Sequence, residues 1–202
     1  MKLQPALILC ALVFKNSSVG LNNANANANA NEQNTQVLSG NSSNSCKFDV
    51  SFASDPTVKE QTINVSQGVE LKLKQYVAVR NEKGANIASN VICQHLIGQQ
   101  YTGSQEEWKG FINTAVQGML KHGFKDLQFT KVGTDDAIYK GQYPNYEYTF
   151  TGDIGGNKQI IHNLAVLDKK NNQVITFSVS GNEKVKSNIK TDYENLINSF
   201  SL

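Results

Sequence analysis

The sequence has 202 residues with 19 Lys and Arg against 17 Asp and Glu, which gives a formal net charge of +2. Residues 1–20 contain Lys2, Lys15 and no acid, so the rest of the chain is neutral, with 17 charges of each sign. A neutral chain without a basic stripe lacks the surface that phosphate neutralisation needs. Nucleic acid is therefore excluded as the expected partner.

Residues 1–20 have the three parts of a secretory signal: Lys2 in a short first region, an apolar stretch over 5–14, and the small residues Ser18 and Gly20 before a cleavage site at Leu21. The apolar stretch is too short to span a bilayer as a helix. We predict cleavage of this signal peptide, no membrane span afterwards, and an extracytoplasmic location: periplasmic, secreted or in a secretory-pathway lumen. An uncleaved N-terminal anchor helix is the alternative.

Residues 21–45 form a low-complexity segment. Asn and Ala alternate over 23–31, and Ser, Asn, Gln and Gly follow, with only Val37 and Leu38 to bury. Such a composition does not offset the entropy of ordering the backbone. The segment is predicted to be a disordered linker, and the folded domain is predicted to span residues 46–202.

Two cysteines, Cys46 and Cys93, remain once Cys10 is removed with the signal. An even pair in an oxidising compartment predicts one disulfide between them. The alternative is two separate buried thiols, each packed as a small apolar side chain.

The first half of the domain alternates with the period of β-strands. Residues 47–52 predict a half-buried strand, 58–65 and 69–79 predict a hairpin, and 87–97 predict a further strand. Ser104 and Glu107 then form a capping box before a helix with one apolar stripe that begins at Trp108 and includes Phe111. Gly123 followed by Phe124 predicts a Schellman end to this helix.

The second half continues with strands and ends in a helix. Turn residues at Gly133, Pro144-Asn145, 155–157 and 169–172 separate strands predicted at 127–132, 137–142, 146–152, 159–167 and 173–180. Residues 183–199 predict a last amphipathic helix. The expected fold class is α+β, with a mainly antiparallel sheet covered by two amphipathic helices.

Three stretches of the domain carry a family pattern: Phe48-Asp-Val-Ser-Phe52 with Pro56, Gly141-Gln-Tyr-Pro144 followed by Tyr146-Glu-Tyr-Thr-Phe150, and the closing 196–202. They resemble the PsbP-like superfamily, which includes the extrinsic P protein of photosystem II, Ran-binding Mog-type proteins and DcrB-like exported bacterial proteins. The resemblance covers nearly all of 47–202. It implies an αβα sandwich and no enzyme activity, because these families are mainly assembly factors, chaperones and adaptors.

Candidate catalytic and metal-binding residues are few. Cys93 and His95 lie two apart on one strand face, where a histidine could raise the thiolate fraction, but a disulfide would consume the thiol. His95, His122 and His162 are scattered singly among the acidic turns at 135–136 and 153, without the spacing of a metal site. We predict no catalytic residue, no metal site and no cofactor.

A cluster of tyrosines is the candidate protein interface. Exposed tyrosine rings give a large contact area at low entropic cost, and the cluster comprises Tyr139, Tyr143, Tyr146 and Tyr148. The alternative is a sheet face covered by the helices. The sequence therefore predicts an exported, non-enzymatic binding module, adaptor or chaperone-like, with an unidentified protein partner. The competing hypothesis is a secreted enzyme or metal-binding protein that uses Cys93 and His95 or the acidic turns.

Overall fold

The computed structural model of the protein describes residues 45–202. The predicted signal peptide at 1–20, its cleavage site and residues 21–44 of the predicted linker lie outside the described residues. The fold below is therefore that of the predicted domain.

The described chain contains eight strands and two α-helices, with a single 3₁₀ turn (Glu183–Val185) before the second helix. The strands are β1 (Thr57–Ser66), β2 (Val69–Glu82), β3 (Ala85–Ile97), β4 (Lys125–Val132), β5 (Ile138–Tyr139), β6 (Tyr143–Ile154), β7 (Asn157–Asp168) and β8 (Gln173–Asn182). The helices are α1 (Gln105–Lys121), between β3 and β4, and α2 (Lys186–Ser199), after β8.

The strands form one antiparallel sheet in the order β1-β2-β3-β8-β7-β6-β4, and β5 pairs with β6 beside this path. The predicted hairpin is confirmed, with Thr57 opposite Val77 and Ile63 opposite Leu71. Gly155 and Gly156, both at positive φ, form the turn between β6 and β7, because a two-residue hairpin turn favours left-handed backbone at both positions.

The two helices cover opposite faces of the sheet. On one face, Trp108 and Phe111 of α1 pack with Ile92 of β3 and Leu167 of β7. On the other face, α2 packs against the neighbouring residues of the same strands, among them Val91, Cys93, Leu164, Val166, Ile175 and Phe177. Because successive side chains of a strand point to opposite faces, β3, β7 and β8 are buried on both sides. The predicted αβα architecture is confirmed.

The capping motifs predicted at both ends of α1 are present in the structure. The Ser104 hydroxyl accepts from the backbone N–H of Glu107 at 3.2 Å, while the Glu107 carboxylate accepts from the N–H groups of Thr102 and Gly103 at 3.0 and 2.6 Å. At the other end, the Phe124 N–H donates to the Met119 carbonyl and the Gly123 N–H donates to the Leu120 carbonyl. This is the predicted Schellman arrangement.

Three sequence predictions were wrong in detail. Residues 47–52 form no strand. They pack on the α2 side of the molecule, where the bridge between Asp49 and Ser201 is their only ladder contact among the described residues. The strand predicted at 137–142 is only Ile138–Tyr139. Pro144 and Asn145 lie inside β6 rather than in a turn, since β6 begins at Tyr143 and the turn occupies 140–142.

Within residues 45–202, neither helix has the length and apolar character needed to cross a membrane.

Candidate functional site

The disulfide predicted from the sequence joins Cys46 to Cys93, whose Cα atoms are 5.6 Å apart. Cys93 lies in the middle of β3 on the α2 face and has no exposed surface. The bond therefore attaches the start of the described chain to a central strand of the sheet.

A buried polar network supports this attachment. The Cys46 N–H donates to Gln173 Oε1 at 2.7 Å, and Gln173 Nε2 donates to Asp168 Oδ2 at 2.9 Å. Asn171 Nδ2 donates to the same carboxylate oxygen at 2.6 Å. Gln173 has no exposed surface and Asp168 is 3% exposed, so each of these groups replaces a water contact with a protein partner, as buried polar groups must.

Residues 46–56, which we call the entry segment, are fixed at further points although they contain no strand. Asp49 exchanges both backbone hydrogen bonds with Ser201, at 2.9 and 3.0 Å. The Ser51 N–H donates to the Ser199 hydroxyl at 2.9 Å, and the Ser54 hydroxyl donates to the Val79 carbonyl at 3.2 Å. These bonds tie the entry segment to the end of α2 and to β2.

The entry segment leaves a surface cleft of about 400 Å³ between itself and the sheet, which we call the entry cleft. Tyr76 of β2 forms its floor, with the Phe48 ring 5.5 Å away at 64° and the Phe52 ring 6.2 Å away at 26°. Its remaining lining residues are Asp49, Val50, Ser51, Ser54, Asp55 and Pro56. Both charged residues of this lining are acids.

The ammonium of Lys74, which lies beside the entry cleft, is paired with an acid outside the cleft lining. Lys74 Nζ lies 5.7 Å from the Tyr76 ring centroid and 3.1 Å from a carboxylate oxygen of Glu60. The hydrogen bond with Glu60 raises the pKa of Lys74 above its ordinary value, so this ammonium remains charged and paired. Within residues 45–202, Asp49 and Asp55 form no salt bridge, and both are exposed.

The structure divides the four tyrosines of the predicted interface between two faces of the sheet. Tyr146 stacks on Trp108 with ring centroids 6.1 Å apart, and Tyr148 is 6% exposed in the core beneath α1. Tyr139 and Tyr143 are half-buried against Phe200 on the α2 side, at 6.1 and 6.4 Å. The four rings therefore form no continuous surface.

The phenol groups of the two tyrosines beside Phe200 are partly buried, and this burial changes their pKa values. The Tyr139 hydroxyl donates to the Ile197 carbonyl near the end of α2. Burial raises the pKa of Tyr139 to about 12, and burial also raises the pKa of Tyr143. Both rings are thus neutral packing groups at ordinary pH, with Tyr139 tied to a helix end.

The residues of the competing catalytic and metal hypotheses do not come together. Cys93 is oxidised in the disulfide, and His95 Nδ1 lies 3.0 Å from the Asn171 carbonyl, to which it donates. His122 follows α1 and His162 lies on β7. Among residues 45–202, no group of three or more His, Cys, Asp or Glu is placed to hold a metal ion.

The acidic turns are explained by local contacts. Asp135 forms an ion pair with Lys131. Asp153 accepts the Gly156 N–H at 2.8 Å and so closes the turn between β6 and β7. A hydrogen bond with Thr134 lowers the pKa of the exposed Asp136. These carboxylates stabilise turns, as Asp side chains commonly do.

One polar cluster on the α2 face was not predicted. The Tyr193 hydroxyl donates to Glu147 at 2.8 Å, and the His162 ring stacks on Tyr193 with centroids 5.4 Å apart. Burial and the Glu147 charge raise the pKa of Tyr193, whereas burial lowers the pKa of His162. The three residues come from α2, β6 and β7, so no sequence spacing could have grouped them.

Comparisons with known proteins do not assign a family. No protein-family model matches the chain, and no curated protein matches it. Among solved structures, the chain is similar to LpqN, a protein involved in cell envelope biogenesis of Mycobacterium tuberculosis, with a TM-score of 0.42 and 10% sequence identity. That likeness covers 77% of this chain and 90% of LpqN.

Proposed function

We propose that the protein is an exported, non-enzymatic binding module, adaptor or chaperone-like, that engages another protein through the entry cleft. The observation that carries this proposal is the cleft itself: two aromatic rings and two acids on a segment fixed by a disulfide and by backbone hydrogen bonds, together with the Tyr76 ring of β2. Walls that are fixed before a ligand arrives lose little conformational entropy on binding.

The disulfide supports export. Disulfides persist in oxidising compartments and are rare in the cytosol of most organisms. The bond between Cys46 and Cys93 is buried beside Gln173 and Asp168, which is the setting of a structural rather than a catalytic disulfide. We therefore propose an extracytoplasmic location: periplasmic, secreted or in a secretory-pathway lumen.

The contacts of Cys93 and His95 support a non-enzymatic role. A nucleophilic cysteine needs a free thiolate and an oriented base. Here the sulfur is bonded to Cys46, and His95 Nδ1 donates to a backbone carbonyl. The arrangement therefore favours a binding function over thiol chemistry.

The layer order supports a PsbP-like relationship as a further proposal. Helices on opposite faces of a central antiparallel sheet are what the resemblance implies. The resembling string Phe48 to Phe52 also forms one wall of the entry cleft. An adaptor or chaperone-like role is the function that this relationship would bring.

Site-specific photo-cross-linking in the native compartment tests the proposed function. A photoreactive residue at Ser51, in the entry cleft, is compared with one at Gln117, exposed on α1 across the sheet. We expect a discrete adduct from Ser51 that excess unlabelled protein competes away, and none from Gln117. Adducts of equal yield from both positions would contradict the proposal.

A further inference from the structure

The entry cleft combines an aromatic and an acidic lining, and this combination favours a ligand with a positive charge. Its floor and walls are the rings of Tyr76, Phe48 and Phe52, and the charged residues in its lining are Asp49 and Asp55. Aromatic faces attract organic cations, and the attraction adds to that of nearby carboxylates. An anionic ligand would meet two negative charges and no cation of the lining.

We infer that the entry cleft binds the cationic side chain of an arginine or lysine on a partner protein, which deepens the proposed function and rests on it. A cleft of about 400 Å³ accommodates one such side chain with its neighbouring backbone. The aliphatic stem of the side chain packs on Phe48 and Phe52, and its charged head lies near Asp49 or Asp55. Long basic side chains combine an apolar stem and a charged head in this way.

The charges around the cleft favour this occupant over others. Lys74, the cation nearest Tyr76, is paired with Glu60 at 3.1 Å and leaves the two aspartates without its charge. The chain's own predicted linker cannot supply the cation, because residues 21–44 contain no lysine or arginine. A divalent metal would need more oxygen ligands than two separate carboxylates and would gain little from aromatic walls.

The segment that carries both acids is fixed before any ligand arrives. The Asp49 backbone is bonded to Ser201, and Ser54, next to Asp55, is bonded to Val79. Neither aspartate side chain is used by these contacts, so Asp-to-Asn changes alter the charge of the cleft and leave its anchoring in place.

Titration followed by ¹⁵N NMR tests the inference on the exported protein with its disulfide intact. The probe is Nα-acetyl-arginine N-methylamide, and the matched neutral probe is the citrulline derivative of the same shape. We expect the arginine probe to shift amide signals of residues 48–56 and 76 in a saturable manner, with affinity about fivefold or more above that of the citrulline probe. Equal affinity for the two probes, or shifts confined to other regions, would overturn the inference.

Two variants separate the aspartates from general surface charge. Asp49→Asn combined with Asp55→Asn should weaken binding of the arginine probe by about fivefold or more. The control is Asp126→Asn, which changes an exposed aspartate on β4 at the far edge of the sheet and should alter this affinity by less than about twofold. Unchanged binding in the double variant contradicts the inference.

The remaining outcomes distinguish this inference from the proposed function. If the amide signals of the cleft residues shift when only the protein concentration is changed, the cleft binds a second copy of the chain, and this would overturn the inference. A Ser51 adduct without arginine binding would leave the proposed function standing and refute the ligand class. Arginine binding without a Ser51 adduct would support the ligand class and refute the protein-binding role.

Discussion

At the scale of single residues, the surroundings of His162 oppose protonation of its ring. Its half-buried ring lies between Tyr193 and Thr149, and burial is the main cause that lowers its pKa below the ordinary 6.5. Lys190 also lowers the pKa, while Glu147 and Glu194 oppose the shift. The neutral imidazole is therefore the form that the fold stabilises.

We predict that His162 makes the free energy of unfolding depend on pH below about 6.5. Its pKa is lower in the folded than in the unfolded state, so the unfolded chain binds more protons in the window between the two values. The contribution of His162 is complete above the unfolded pKa and is lost as pH falls through the folded pKa.

Denaturant unfolding across pH 5–8 measures this dependence. His162→Gln should reduce the slope in this window relative to the wild type. His122→Gln controls for the loss of one imidazole at an exposed position. A slope that His162→Gln leaves unaltered would contradict the assignment.

At the scale of elements, α1 is held by one apolar stripe. Trp108 and Phe111 are 7% and 6% exposed, and their ring centroids are 5.6 Å apart. Leu120 on the same helix is 47% exposed. We predict that Trp108→Ala and Phe111→Ala each lower the free energy of unfolding by about 3–5 kcal/mol, because each leaves a cavity against the sheet. Leu120→Ala should cost less than about 1 kcal/mol. Denaturant melts of the three variants compare these costs.

Periodicity predicted most elements because each long strand and helix buries a regular set of positions. Strands β1 to β4 and β6 to β8 and both helices were found this way. The ends of the strands extend a few residues further in the structure, whereas α2 begins at Lys186 because Glu183–Val185 forms a 3₁₀ turn. Residues 47–52 show the limit of this reasoning. Phe48, Val50 and Phe52 alternate because they pack on the core of the α2 face, and alternation alone cannot tell packing on a helix-covered face from pairing with a strand.

The entry cleft could not be predicted for a related reason. Phe48 and Phe52 were visible as an apolar pattern, but their partner Tyr76 lies on β2, and the contact arises from the path of the entry segment across the sheet. The disulfide was predictable from parity and compartment. Its neighbours Gln173 and Asp168 were not, because they come from the far end of the chain.

At the scale of the whole molecule, the disulfide closes a loop with a sequence separation of 47 residues. In the chain-entropy model, a loop of this length stabilises the folded state by about 4 kcal/mol. We predict that Cys46→Ser combined with Cys93→Ser lowers the free energy of unfolding by an amount of this order. A chemical denaturation curve of the oxidised wild type against the double variant measures it.

The same double variant also tests the role of the bond in the entry cleft. Without the bond, residues 46–48 retain the hydrogen bond of Cys46 to Gln173 but lose their covalent attachment to β3. The amide signals of 48–56 should then broaden or shift, while those of α1 stay in place. A variant with unaltered stability would show that the disulfide constrains little in the unfolded chain.

The position of the disulfide also determines how the domain carries mechanical tension. A pull on the chain ahead of Cys46 passes through the sulfur bridge directly into β3, which has β2 and β8 paired along its two sides. Residues 47–92 lie inside the covalent loop, so the covalent path of that tension bypasses them. The entry cleft, whose lining residues all lie within this loop, would keep its shape while the domain is pulled from its N-terminal side.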